Sequence, residues 1–144
     1  DVVAFAEMIH SVDRDGIADA LERRAETAGL SRDVLVQVNT SGEESKGGFT
    51  PTIEAIAPMV ERLRASAVLR PVGLMTIGAN SSDDAAVRAS LQLLRQLRDE
   101  VRDQLGAEEL TELSMGMSGD LEIAVEEGAT IVRVGSAVFG ARPA

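Results

Sequence analysis

The stretch LSMGMSGDLEIAVEEGATIVRVGSAVFG, residues 113–140, decides the fold. Leu113 to Met117 has strand length and runs into Ser118-Gly119. Asp120 to Glu127 reads as a short helix stopped by Gly128. Ile131 to Gly135 is β-branched and reads as the next strand, followed by Ser136-Ala137-Val138-Phe139-Gly140. A strand, a crossover helix and a second strand in so few residues make a β-α-β unit, which implies parallel strands.

Working outward, the same alternation covers the rest of the chain. Asp1 to Glu7 has the apolar spacing of the tail of a helix, and Met8 to Val12 is a short strand ending at Asp13. Arg14 to Ala28 carries Ile17, Ala18, Leu21 and Ala25 at helical spacing, with Gly29 as its stop. Val34 to Asn39 is a strand closed by the polar stretch Thr40 to Gly48. A helix from Ile53 to about Ala65 follows, with Thr50 or Thr52 as cap and Pro51 near its first turn. Val72 to Ile77 is a strand closed by Gly78-Ala79-Asn80. Ser81 or Ser82 caps a long helix from Asp83 to about Leu105, whose apolar set Ala86, Val87, Leu91, Leu94 and Leu97 follows a 3–4 spacing. The sum is five strands in strict β-α alternation. The strands are nearly all apolar, as when both faces of a parallel sheet are covered. The pattern predicts one domain over residues 1–144.

Composition narrows the function. The chain has 144 residues, 44% hydrophobic, with a formal net charge of −10 and no cysteine. This length can bury roughly 68–70% of its unfolded surface, enough for one ordinary core. Without cysteine there is no disulfide scaffold, thiolate zinc site or thiol nucleophile. A single histidine, His10, makes a histidine metal cluster untenable. The acidic balance of 24 Asp+Glu against 14 Lys+Arg disfavours nucleic-acid binding. No apolar run reaches the roughly 20 residues of a membrane span, and no signal peptide is visible, so the expectation is a soluble cytoplasmic protein without nucleic-acid or membrane partners. There is no Tyr or Trp and only three Phe, so the core must be aliphatic. The chain opens at Asp1 inside a helical pattern, which leads us to expect a true start upstream.

Two parallel architectures fit: an open doubly wound sheet, or part of a β/α barrel. A whole barrel takes typically about 250 residues and eight strands, so five units would be a little over half of one. In both, chemistry sits at the C-terminal ends of the strands. There Ser118 and Gly119 open a helix whose first N–H groups favour an anion such as phosphate. Gly135 permits close approach of a ligand, Ser136 adds a hydroxyl, and Arg133 supplies a fixed positive charge. Barrels often bind phosphate with the loops after their last two strands. Each motif also has a purely structural reading. Ser118 is a good N-cap, Gly135 can be a turn, and only Arg133, a charge in an apolar strand, demands a partner. The loop Asn39 to Phe49 holds Lys46, the only lysine. Nothing near it in sequence would lower its pKa for covalent chemistry, and a solvated loop explains it as well. His10 reads as a packed histidine or pocket wall rather than a catalyst.

Four segments together resemble a known family: HSVDR (10–14), VLVQVNTSGEESKGGF (34–49), VGLMTIGA (72–79) and LSMGMSGDLEIAVEEGATIVRVGSAVFGARP (113–143). They are similar, in this order, to the pyridoxal phosphate homeostasis proteins, the alanine-racemase-like group that has the N-terminal domain alone. The resemblance covers nearly the whole chain and about the C-terminal three-fifths of a family member. It implies an α/β fold, a β/α barrel of the alanine racemase type that binds pyridoxal 5′-phosphate (PLP) at its C-terminal mouth, present here as about five β-α units. It also implies a phosphate site at Ser118, Gly119, Gly135 and Ser136, with Ser136 where many relatives have Thr. Arg133 would face the pyridine nitrogen, keep it unprotonated and temper carbanion chemistry. The lysine that holds PLP covalently in such proteins belongs to a first strand expected upstream of this chain, and Lys46 lies on the wrong strand to replace it.

The function implied is a non-catalytic, cytoplasmic PLP carrier in vitamin B6 homeostasis, monomeric, passing PLP to PLP-dependent apoenzymes. An alternative is a PLP enzyme of the same fold type, such as an amino-acid racemase. That chemistry uses a tyrosine from a separate β-domain, and this chain has no Tyr and stops after the last barrel strand. A second alternative is another barrel enzyme that grips a phosphorylated substrate with Ser118 and Ser136.

Overall fold

The computed structural model describes residues 2–140, so the expected roles of Asp1 and of the segment after Gly140 lie outside the described residues. The strands are β1 (Met8–Val12), β2 (Arg32–Gln37), β3 (Leu69–Met75), β4 (Glu112–Met117) and β5 (Ile131–Arg133). The helices are α1 (Val2–Phe5), α2 (Asp15–Ala28), α3 (Ile53–Arg64), α4 (Asp84–Leu105), α5 (Leu121–Glu126) and α6 (Ser136–Phe139). All four neighbouring pairs are parallel, and the sheet order is β1-β2-β3-β4-β5. A doubly wound sheet reverses its strand order at a switch point. This sheet never reverses, so the open alternative falls and the barrel progression stands.

The sheet is curled, and one hydrogen bond demonstrates it. Strands lie about 4.8 Å apart, which puts β1 and β4 roughly 14 Å apart in a flat sheet. Yet His10 Nδ1 on β1 and Ser114 Oγ on β4 are 2.9 Å apart. Side chains standing perpendicular to a flat sheet could not meet, so their shared face is concave.

Alternation along the strands explains what each face holds. Ile9, Val34, Val36, Val38, Leu74, Leu113 and Met115 point outward and join the core beneath the helices. Leu35 and Met75 are buried but lie outside that cluster, on the concave side with His10 and Ser114. Helix α4 presents Val87, Leu91, Leu94, Leu97 and Val101 to the core at three- and four-residue spacing. Burying each such leucine contributes about 1.5–3 kcal/mol. The helix also anchors α5. Arg88 Nη1 and Gln92 Nε2 donate to Glu127 Oε1 at 2.6 and 3.1 Å, Arg95 Nη2 lies 3.3 Å from Glu127 Oε2, and Arg88 Nη2 reaches Glu126 at 2.6 Å. Glu127 is buried, so these cations and the amide offset the loss of its hydration.

Several boundaries differ from the sequence reading. β2 and β3 begin at Arg32 and Leu69 and end at Gln37 and Met75, because Arg32 pairs with Leu69 and its N–H donates to the Val68 carbonyl at 2.8 Å. The cap of α4 is Asp83 rather than Ser81 or Ser82, with its carboxylate accepting from the Ala85 N–H at 3.0 Å. Ser81 instead accepts from the Asp83 N–H at 3.0 Å, one step before the helix. Thr52 precedes α3 without a side-chain cap bond, and Pro58 stands inside that helix, removing one N–H from its ladder. β5 stops at Arg133, and the residues after Gly135 wind into α6.

Gly116 sets the end of β4. Its φ is +93°, and a Cβ there would lie 2.4 Å from the Ala124 Cβ of α5. Gly116→Ala combines left-handed strain with overpacking and should cost about 2–5 kcal/mol. Gly119, three residues on, has open space at its Cβ position. Gly119→Ala should therefore leave the urea midpoint nearly unchanged while Gly116→Ala lowers it sharply, and equal midpoints would contradict this packing.

Candidate functional site

The site is built from the turns that end β4 and β5. After Gly116 the chain bends, and the Met117 N–H donates to Asp120 Oδ1 at 2.6 Å. Asp120, not Ser118, stands at the N-cap of α5, so the capping reading of Ser118 is overturned. The Ser118 hydroxyl instead crosses to the next loop. Its Oγ accepts from the Gly135 N–H at 3.2 Å and the Ala137 N–H at 3.1 Å. Those two N–H groups converge on one oxygen. Ser118, Gly119, Arg133, Gly135 and Ser136, all singled out from sequence, line a single open cleft of about 800 Å³ with Met117, Phe139 and Gly140.

Arg133 forms the polar floor of this cleft. Its Nη1 donates to Ser114 Oγ at 2.7 Å and its Nη2 to the Thr76 carbonyl at 2.7 Å. Both partners are neutral, so the guanidinium keeps an uncompensated positive charge at these contacts. Burial pushes its pKa down from the usual arginine value and Asp120 opposes the shift. Arginine still stays protonated at neutral pH. Ser114 is fully buried and also meets His10 Nδ1 at 2.9 Å. Burial first, and Arg133 second, hold the His10 pKa below 6.5. From sequence alone His10 is expected to be a packed histidine or a pocket wall. Its contact with the arginine network could not be anticipated, because 104 positions separate it from Ser114.

The Asn39–Phe49 loop is ordered by Asn39, whose Nδ2 donates to the carbonyls of Glu43 and Lys46, both at 2.9 Å. Lys46 is not in water: its side chain is only 16% exposed. Its Nζ donates to Glu43 Oε1 at 2.7 Å and to the Gly78 carbonyl at 2.8 Å. The Lys46 hydrogen bond, then one from the Asn80 N–H, lowers the Glu43 pKa. Lys46 faces an adjoining cleft of about 210 Å³ beside Gly78, Asn80 and Asp120, which shares Met117 and Gly119 with the one that holds Arg133. Among the described residues no group of three His, Cys, Asp or Glu could hold a metal ion. No helix among them is long and apolar enough to cross a membrane. The larger cleft thus offers convergent N–H donors, two hydroxyls and one cation, a set suited to a phosphate ester.

A β/α half-barrel with an open polar cleft at its last two strand ends is the class that fold and site define, and the comparisons agree on the fold. Residues 1–143 match the family described as alanine racemase, N-terminal domain, and the chain belongs to that family. The chain is 43% identical over 135 residues to the pyridoxal phosphate homeostasis protein of Aquifex aeolicus, covering 94% of this chain and 58% of that protein. It is 44% identical over 140 residues to the human protein of the same name, covering 94% and 50%. Among solved structures, PipY of Synechococcus elongatus with PLP bound superposes with a TM-score of 0.83 at 33% identity, covering 96% of this chain and 63% of PipY. The chain therefore spans between half and three-fifths of the length of these curated relatives.

The His10 shift has a consequence for stability. A histidine whose folded pKa lies below 6.5 binds its proton more readily when unfolded. The unfolded state then holds more protons as pH falls through 6.5, and stability declines until the folded pKa is passed. Urea midpoints from pH 8 down to pH 5.5 should fall in the wild-type chain by more than in His10→Asn. Parallel curves would show that His10 titrates normally.

Proposed function

We propose that this chain is the phosphate-gripping part of a PLP-binding homeostasis protein, with residues 1–144 a single domain that is the C-terminal part of a β/α barrel. The observation that carries the reading is the convergence of the Gly135 and Ala137 N–H groups on Ser118 Oγ, beside Ser136 and above Arg133. The donor set fits the cofactor. A phosphate needs several donors and PLP needs a flat wall, and the cleft supplies both, its apolar side being Met117 and Phe139. An added Cβ at Gly119 or Gly135 would meet nothing within 4 Å, so the backbone leaves room for a bulky anion.

In this reading Ser118, Ser136 and the Gly135 and Ala137 N–H groups hold the phosphate. Arg133 would meet the pyridine nitrogen and, as a permanent donor, would keep a proton off it. When bound, PLP supplies an aldehyde that condenses with amines and a ring that accepts electrons. Arg133 weakens the second capacity and leaves the first, which suits a carrier. The covalent lysine is not supplied by Lys46, which is committed to Glu43 and Gly78. The names of the curated relatives support the homeostasis role. The reading extends beyond those names to a cytoplasmic monomer that passes PLP to apoenzymes.

The paired substitution Ser118→Ala and Ser136→Ala tests it. Losing two hydrogen bonds to an ion should weaken PLP binding on the order of tenfold or more. Binding of pyridoxal, which lacks the phosphate, should not change. Equal loss for both compounds, or no loss for PLP, would remove these serines from the site.

A further inference from the structure

Ser114 is a three-way junction whose hydrogen-bond directions can be worked out. A hydroxyl has one proton to give and lone pairs to receive. Arg133 Nη1 can only donate, so Ser114 Oγ accepts there. That leaves the hydroxyl proton, and His10 Nδ1 lies 2.9 Å away. Ser114 is fully buried, and a buried hydroxyl that donates to nothing is costly. Nδ1 is therefore the acceptor, and the imidazole carries its proton on Nε2. The reverse neutral tautomer, with Nδ1–H donating, would leave the hydroxyl proton without either of these partners. An imidazolium would in addition face the guanidinium, and burial and the Arg133 charge both oppose that form.

We propose that His10 is a positioning residue for Arg133: acting through Ser114 across the concave face, it fixes how the guanidinium is presented to the cleft. The inference rests on the reading of that cleft as the PLP site. The guanidinium is held at two corners, by the Thr76 carbonyl and by Ser114. The carbonyl belongs to the backbone and cannot reorient. The Ser114 hydroxyl can rotate, and His10 is what stops it. The chain of donation runs one way, from Arg133 to Ser114 to His10. His10 does not line the cleft itself, so it acts on the ring end of the ligand only through the arginine. The phosphate end, held by Ser118 and the Gly135 and Ala137 N–H groups, should not sense it.

Two measurements on the 144-residue chain test this. His10 is the single histidine, so its ring nitrogens give one assignable set of ¹⁵N resonances. At pH 7.5 they should report the Nε2–H tautomer, with an Nδ1 shift that moves in Ser114→Ala. An Nδ1–H tautomer overturns the proposal. Binding is then compared for pyridoxine 5′-phosphate, which has the ring nitrogen but no aldehyde, and phenyl phosphate, which has neither. His10→Leu, which keeps the volume, should weaken pyridoxine 5′-phosphate about fivefold, the worth of one hydrogen bond, and leave phenyl phosphate unchanged. His10→Asn places an acceptor oxygen near the Nδ1 position and should restore binding. Parallel losses for both compounds, or His10→Asn as weak as His10→Leu, assign His10 a structural role and overturn the proposal. Failure of the wild-type chain to bind either compound contradicts the reading of the cleft and takes this proposal with it. Wild-type binding that His10→Leu does not alter contradicts the proposal alone.

Discussion

A guanidinium taken out of bulk water must find acceptors, and Arg133 finds them on two other strands. Ser114 on β4 and the Thr76 carbonyl at the end of β3 take its two terminal nitrogens, and Ser114 passes the connection to His10 on β1. These bonds can form only if the sheet curls. The curl in turn follows from parallel strands paired in chain order and twisted in one sense, with helices on the outside. The polar cluster therefore depends on the half-barrel, and the half-barrel's concave face is organised around it. Because its partners are neutral, Arg133 keeps its charge for the cleft. In a chain of net charge −10, that local cation is what makes an anion site credible.

The approach of Ser118 to the loop after β5 needs little more than turn geometry. Gly116 lets β4 end against Ala124, and the clamp of Arg88, Gln92 and Arg95 on Glu127 holds α5 beside it. With α5 fixed, Ser118 is presented to the loop after β5, where two backbone N–H groups meet it. Ser118 Oγ satisfies those donors in the present structure. A ligand oxygen that joins them replaces one acceptor by a charged one, and charge-assisted hydrogen bonds are the stronger kind.

Much of this was legible in the sequence. Five apolar runs alternating with 3–4 spaced segments define the strands and helices, and all five proposed site residues converge on one cleft. What stayed hidden was set by contacts between distant segments. The early starts of β2 and β3 come from pairing Arg32 with Leu69, and Arg32 does not look like strand core. Ser81, Ser82 and Asp83 are all good caps, and only backbone geometry chooses Asp83. Ser118 looked like a cap because its partners, Gly135 and Ala137, lie 17 and 19 residues away. Lys46 looked solvated because a lone lysine in a polar loop usually is. Its burial depends on Glu43 and on the Gly78 carbonyl of another strand end. The link from His10 to Arg133 through Ser114 joins three strands, and no local pattern encodes it.

The most direct test of the account is a ¹H–¹⁵N titration of the chain with PLP, followed residue by residue. The largest shifts should fall on the amides of Gly119, Gly135, Ser136 and Ala137, with a second set at the Arg133 side chain. Shifts confined to Lys46 and residues 78–84 would place the phosphate in the smaller cleft and contradict the account.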